Sequence, residues 1–245
     1  MTGGSRKLPR FYFNFRSPYS WIAYRDLMDR YPDVAKAVTW HPWWEPDADS
    51  ERLVIENGER FPYAAMTRAK HLYILQDVRR LTCDRGLAVA WPVDRDPVWE
   101  VPHLAYFVAQ DHGRGAEYVE RVYQARWEEG RDICDRDTVA ALARDLGLPA
   151  DSMAGAADDE DLRTGRGLEA LLALSRDGAF GVPFFTHGYD KFWGVDRLPA
   201  FVASVRSVRA RGEAEQQPQP DPLKSSPTDF AGARSGDQGH AGGCG

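Results

Sequence analysis

The sequence predicts a two-layer α/β domain in which a block of helices interrupts a single sheet. Three observations carry this prediction: an aromatic, strand-like run near the N-terminus, a hairpin-like pair of runs far downstream, and helical periodicity through most of the chain between them. With 245 residues, 43% of them hydrophobic and 12% aromatic, the chain can bury a substantial core. Strands so distant in sequence must share one sheet, and one domain with a helical insertion satisfies that requirement.

The elements follow in order. Residues 1–8 lack apolar periodicity and are expected to be flexible; the domain is expected over 9–211, beginning abruptly at Arg10-Phe11-Tyr12-Phe13-Asn14-Phe15. Arg16-Ser17-Pro18 ends that run. From Tyr19 to Tyr31, Trp21, Ile22, Tyr24, Leu27 and Met28 recur at helical spacing, with Ser17 suited to the N-cap and Pro18 to the first helical position. Val38 to His41 reads as a second strand, and Pro42 to Phe61, rich in charge, Pro and Gly, as a long loop. Helical patterns over Pro62 to Leu87, Pro102 to Trp127, Asp137 to Leu146 and Glu160 to Ser175 place an all-helical insertion at about 62–170. Gly181 to Thr186, the turn His187-Gly188-Tyr189-Asp190 and Lys191 to Trp193 read as an antiparallel hairpin, followed by a helix from Arg197 to Arg211. Residues 212–245 shift to Gln, Pro, Gly, Ser and Asp, the composition of a disordered tail.

Composition narrows the function classes. A formal net charge of -6 gives no general attraction to phosphate backbones or anionic lipid, so neither nucleic acid nor a membrane is the expected partner. No segment has the apolar length of a membrane span, and Met1 to Arg10 lacks the apolar core of a secretory signal, so the expected compartment is the cytoplasm. Three widely spaced cysteines, Cys83, Cys134 and Cys244, suit neither a disulfide framework nor a zinc knuckle. His41, His71, His103, His112 and His187 show no ligand spacing, and no metal is expected.

Three constellations could carry chemistry. At the strand-to-helix corner ending in Ser17, unsatisfied backbone N–H groups and the helix dipole converge on the cap side chain and favour an anion. From this signature alone two readings stand: Ser17 only caps a helix, or it donates a hydrogen bond to the thiolate of a bound small molecule. Gly181-Val182-Pro183 opens a strand with proline; a cis bond there would leave the main chain of Val182 to pair with an extended, peptide-like ligand. Alone it is also an ordinary strand start. Val195-Asp196, entering the last helix, offers a carboxylate for an ammonium group and backbone N–H groups for a carboxylate, or simply an N-cap.

Taken together, "FYFNFRSPYSWIAY" over 11–24, "AKHLY" over 69–73 followed by Asp77, "WEEGRDI" over 127–133 and "GAFGVPFFTHGYDKFWGVDRL" over 178–198 resemble the 2-hydroxychromene-2-carboxylate isomerases and kappa-class glutathione transferases. These belong to the DsbA-like thioredoxin-fold superfamily. The resemblance covers roughly Leu8 to Arg211 and implies a thioredoxin-like fold with a large all-helical insertion. It also implies a glutathione-type thiol cofactor, a small-molecule substrate and a homodimer. By the match, Ser17 hydrogen-bonds the cofactor sulfur, and Pro18 and Tyr19 line the same turn. Lys70 contacts the tripeptide, the main chain before Pro183 at Val182 pairs with it, and Val195 and Asp196 grip its glutamyl end. Asn57 is the nearest counterpart of a family asparagine, at a longer spacing from Lys70 than the pattern has.

The loop Pro42-Trp43-Trp44-Glu45-Pro46-Asp47 departs from the family's aliphatic tendency, which implies a different, bulkier acceptor. The expected reaction is isomerisation of a small electrophile, aromatic or polyketide-like, through reversible thiolate addition; retention of the adduct would make it a transfer instead. A disulfide oxidoreductase would need a cysteine at the corner, where Ser17 stands. A non-catalytic binding protein of the same fold is the third class.

Overall fold

In the computed structural model the described residues are 8–62 and 66–216, with side chains described through residue 208. One compact unit extends to Val208. Four strands form a mixed sheet in the order β2-β1-β3-β4, with β1 at Arg10–Phe13, β2 at Thr39–Pro42, β3 at Phe184–His187 and β4 at Asp190–Trp193. Strand β1 pairs parallel with β2, Phe11 opposite Trp40, and antiparallel with β3, Phe11 opposite Phe185. The sheet thus joins both ends of the chain, as the sequence predicts.

The aromatic run is apolar on consecutive positions because β1 is central and covered on both faces. Phe11, Tyr12 and Phe13 are all fully buried. Helix α1 (Pro18–Arg30) and helix α11 (Leu198–Gln216) cover the side of Phe11 and Phe13: Phe185, stacked on Phe11 at 4.7 Å, stacks in turn on Phe201 of α11, and Tyr24 of α1 meets Trp40. Tyr12 points the other way, and its hydroxyl donates to the buried Asp177 carboxylate at 2.6 Å, which also accepts from Arg10 at 2.7 Å.

Helix α2 (Pro32–Ala35) precedes β2; between β2 and β3 lie α3 (Ala48–Glu56), α4 (Arg68–Cys83), α5 (Glu100–Asp111), α6 (Gly115–Tyr123, continued by a π-helical turn at Gln124–Glu128), α7 (Arg136–Asp145), α8 (Ala150–Gly155), α9 (Glu160–Leu162) and α10 (Leu168–Asp177). Two expectations are corrected. The stretch after Pro42 is not all loop: Asp47 caps α3 by accepting the Ser50 N–H at 2.9 Å, while only Ser50 and Val54 of the helix are buried, so its apolar stripe is too thin to register as periodicity. The insertion also runs past 170, because α10 continues to Gly178, whose left-handed conformation (φ +64°) ends it. Asp159 caps α9 by accepting the Leu162 N–H at 2.9 Å. Residues 1–7 of the expected flexible start and 217–245 of the expected tail, with Cys244, lie outside the described residues, while α11 runs on to Gln216, past the expected end of the last helix at Arg211.

Candidate active site

Chain geometry gathers the site at the C-terminal end of β1. Ser17 occupies the N-cap of α1 in an extended conformation (φ −85°, ψ 119°), with Pro18 at the first helical position. The corner is built from inside: the Ser17 N–H donates to Asn14 C=O at 3.1 Å, the buried Asn14 side chain accepts the Arg16 N–H at 2.7 Å, and Ser20 Oγ accepts the Asn14 N–H at 3.3 Å. Ser17 Oγ accepts from the Ser20 N–H at 3.2 Å. As an acceptor there, the hydroxyl keeps its hydrogen, which no described group takes up. A half-buried O–H donor at the positive end of a 13-residue helix is suited to an anion.

Buried groups lock this turn from below. The Phe15 N–H donates to His103 Nε2 at 3.2 Å, and His103 Nδ1 donates to Trp99 C=O at 2.7 Å. Complete burial holds the His103 pKa down at about 3, so the imidazole is neutral in this bridge. Trp127 Nε1 donates to Phe15 C=O at 3.0 Å, and the Tyr123 hydroxyl to Asn14 C=O at 3.3 Å. Beside the turn, Arg16 pairs with Glu45 at 2.8 Å and lies over the Trp99 ring at 5.5 Å.

The other expected constellations converge on this corner. Because Tyr12 pairs with Phe184, the preceding Val182-Pro183 lies beside the end of β1. That peptide is cis, and neither the N–H nor the C=O of Val182 makes a backbone hydrogen bond among the described residues. Pro183 C=O accepts the Gly194 N–H at 3.0 Å, which draws the next turn, Val195–Arg197, into place against α1. Gly194 has φ +98°, and a Cβ on it would lie 2.8 Å from Asp196 Oδ1, so the entry to this turn requires glycine. Val195 is buried; the Asp196 carboxylate is exposed, with Arg197 at 3.5 Å.

Lys70 is exposed on the first turn of α4, whose cap is Thr67. The tie between α4 and α1 is the Tyr19 hydroxyl, which donates to Asp77 Oδ2 at 2.9 Å; burial and this carboxylate raise the Tyr19 pKa, so it stays a donor. Asn57 caps the end of α3, where its amide donates to Leu53 C=O at 2.9 Å, and α3 packs against α10.

Sequence reasoning left Asp77, Glu45 and His103 without roles, because each meets the corner across 29 or more residues and no local pattern marks such a pairing. Trp43 and Trp44 are both buried, Trp43 stacked on Phe61 at 5.2 Å and Trp44 on His103 at 5.3 Å. They back the corner as core. Glu100, its carboxyl raised by burial, holds this loop by accepting from Trp44 Nε1 at 3.2 Å and the Asp47 N–H at 2.7 Å. Two surface cavities, about 390 Å³ between α1 and α6 and about 660 Å³ beside β2, are not lined by Ser17. Among the described residues, no His, Cys, Asp and Glu grouping is arranged to hold a metal ion, and no helix is long and apolar enough to cross a membrane.

A sheet of this order, a helical insertion, and a capped corner facing a cis-proline define a DsbA-like thioredoxin fold, and the model of the DSBA-like thioredoxin domain matches residues 10–206. The chain belongs to that family. Within it, the chain is 25% identical over 193 residues to a 2-hydroxychromene-2-carboxylate isomerase of Sphingobium xenophagum, covering 77% of this chain and 92% of the relative. A solved 2-hydroxychromene-2-carboxylate isomerase superposes with a TM-score of 0.65 at 23% identity, covering 86% of this chain and 99% of that one. The cytosolic disulfide reductase DsbM of Pseudomonas aeruginosa, solved with GSH, gives 0.54 at 18% identity, covering 82% and 98%.

Proposed function

We propose that this protein is an isomerase that works with a low-molecular-weight thiol, glutathione or a chemical equivalent, on a small electrophilic, aromatic or polyketide-like substrate. The observation that carries the reading is the Ser17 hydroxyl, which accepts from Ser20 and keeps a hydrogen to donate at the N-terminus of α1. The surrounding groups fit a peptide-like, anionic thiol: the unused main chain of Val182, the exposed Lys70 ammonium and the exposed Asp196 carboxylate. The isomerase relative supports the reaction class, and the DsbM neighbour solved with GSH supports the ligand class.

When bound, the thiol supplies a nucleophile that adds to a conjugated carbon and is later eliminated, leaving the substrate rearranged. The chain's own part is to favour the ionised thiol. Ser17 donates to it, the α1 dipole lowers its basicity, Pro18 and Tyr19 shape the turn, and Val182 and Pro183 align the peptide portion. Asp196 and the Val195 backbone take the charged amino-acid end, with Lys70 for a carboxylate. Cys83 is exposed on α4 and Cys134 is half-buried with its thiol pushed up to about 12, so neither supplies a nucleophile at the corner. The reading entails a cytoplasmic site, a homodimer and no resident metal, checked by fractionation, by sedimentation and by metal analysis.

The test is titration calorimetry of reduced glutathione and other small thiols into wild type, Ser17→Ala and Lys70→Ala, with product analysis on isomerisable aromatic electrophiles. Micromolar-class binding to wild type, weakened in both variants, is the expected outcome. Equal binding and turnover by Ser17→Ala removes Ser17 from the mechanism, and accumulation of a thioether product turns the assignment to transfer.

A further inference from the structure

Helix α4 is fastened unevenly. Its C-terminal half is anchored by the buried Val78 and Thr82, and just past its end Arg85 clasps the buried Asp26 of α1 through Nε and Nη2 at distances of 2.8 to 3.1 Å. Its first turns are different: Arg68 to Tyr73 are exposed at every position, including the apolar Leu72 and Tyr73. Between these regimes stands the bond from the Tyr19 hydroxyl to Asp77 Oδ2, and Arg80 Nη2 donates to the other Asp77 oxygen at 3.1 Å and fixes that carboxylate.

The geometry relates this bond to the corner. Tyr19 lies two residues beyond Ser17 in the first turn of α1. Lys70 lies seven residues before Asp77, two helical turns or about 10 Å along the axis, and on the same face. The angle at which α4 leaves Tyr19 therefore decides where the Lys70 ammonium hangs relative to Ser17. Lysine on its flexible stem cannot set that position itself.

The geometry points to Tyr19 and Asp77 as positioning residues: their hydrogen bond holds the exposed half of α4 so that Lys70 overhangs the anionic thiol at Ser17. This rests on the thiol-site reading above. It assigns the pair an effect on thiol affinity, with a lesser one on turnover.

The experiment is a double-mutant cycle on the full-length protein, using Tyr19→Phe, Asp77→Ala and the double variant, with Asp77→Asn as the conservative replacement that still accepts from the phenol. Glutathione Kd is read by calorimetry, the thiol KM and kcat by turnover, and the freedom of α4 by the rate of tryptic cleavage after the exposed Arg68 and Lys70. One hydrogen bond corresponds to about a fivefold change. Each single variant is expected to weaken glutathione by about that factor, the double variant by no more than either single, and Asp77→Asn to recover most of it. The loss falls on KM more than on kcat, and cleavage quickens in the variants that lack the bond. Additive losses, unchanged affinity, or unchanged cleavage would overturn the assignment. Wild type that binds no thiol defeats the thiol-site reading and the positioning role with it; wild type that binds while the variants match it defeats the positioning role alone.

Discussion

Replacing His103 by leucine removes the bridge beneath the active-site corner, and the structure sets both the size and the pH dependence of the loss. The Trp99 C=O keeps a backbone partner, the His103 N–H at 3.4 Å, so the group stranded is the Phe15 N–H. A buried unsatisfied donor costs about 1 to 3 kcal/mol. Loss of the ring contacts with Phe15, tilted at 4.8 Å, and Trp44, stacked at 5.3 Å, adds about 1 kcal/mol. At neutral pH the variant is therefore expected to be about 2 to 4 kcal/mol less stable in urea unfolding.

The gap narrows in acid. Because the folded-state pKa of His103, about 3, lies below the unfolded value of about 6.5, the unfolded chain takes up this proton first as pH falls. The stability tied to neutral His103 is complete above about pH 6.5 and drains away down to about pH 3. Between about pH 6 and about pH 4.5 wild type should lose about 2 kcal/mol that the variant does not. His41, held at about 4 by burial and the nearby Arg10 charge, acts with the same sign, and Glu100, raised by burial, with the opposite one. Subtracting the variant's curve from that of wild type cancels both. Parallel curves for the two proteins across this range would refute the neutral bridge.

Two further predictions concern the corner and its neighbour. Ser17→Asp keeps a good N-cap and should leave urea stability within about 0.5 kcal/mol of wild type, yet abolish glutathione binding in calorimetry, because its fixed negative charge takes the place of the donor. Arg85→Met leaves Asp26, 8% exposed, without its two-pronged partner and should cost about 3 kcal/mol in the same unfolding assay, with lysine recovering only part of it.

Much of the fold is legible in the sequence because its signals are local. Consecutive aromatics at Phe11 to Phe13 mark a strand buried on both faces, Ser17-Pro18 marks a helix start, and the Gly188 turn marks a hairpin. Helix α3 was not legible, since a helix with two buried residues writes almost no stripe. The short α2 and α8, of four and six residues, are illegible for the related reason that fewer than two turns show no period to read. Of the site, Ser17, Val182 and Val195 stand in recognisable strand-to-helix or loop-to-strand contexts. The roles of Asp77 and His103 are not legible in this way: Asp77 falls within the motif of the resemblance, but its partner Tyr19 is 58 residues away, and His103, whose partner is 88 residues away, reads as an ordinary helix histidine.

The pairing of Arg10 with Thr186 has a consequence for how the protein is made. The central strand emerges from the ribosome early, but its antiparallel neighbour follows only after the entire insertion has been synthesised, an interval on the order of ten to thirty seconds at ordinary elongation rates. Throughout that time Phe11, Tyr12 and Phe13 can pair on one side only, with β2, and their other edge is open to any extended chain nearby. The seat of the chemistry is thus among the first segments made and among the last to be completed. Nascent chains of this protein should depend on holding chaperones, and truncations that stop short of Phe184 should aggregate through the strand that leads to Ser17.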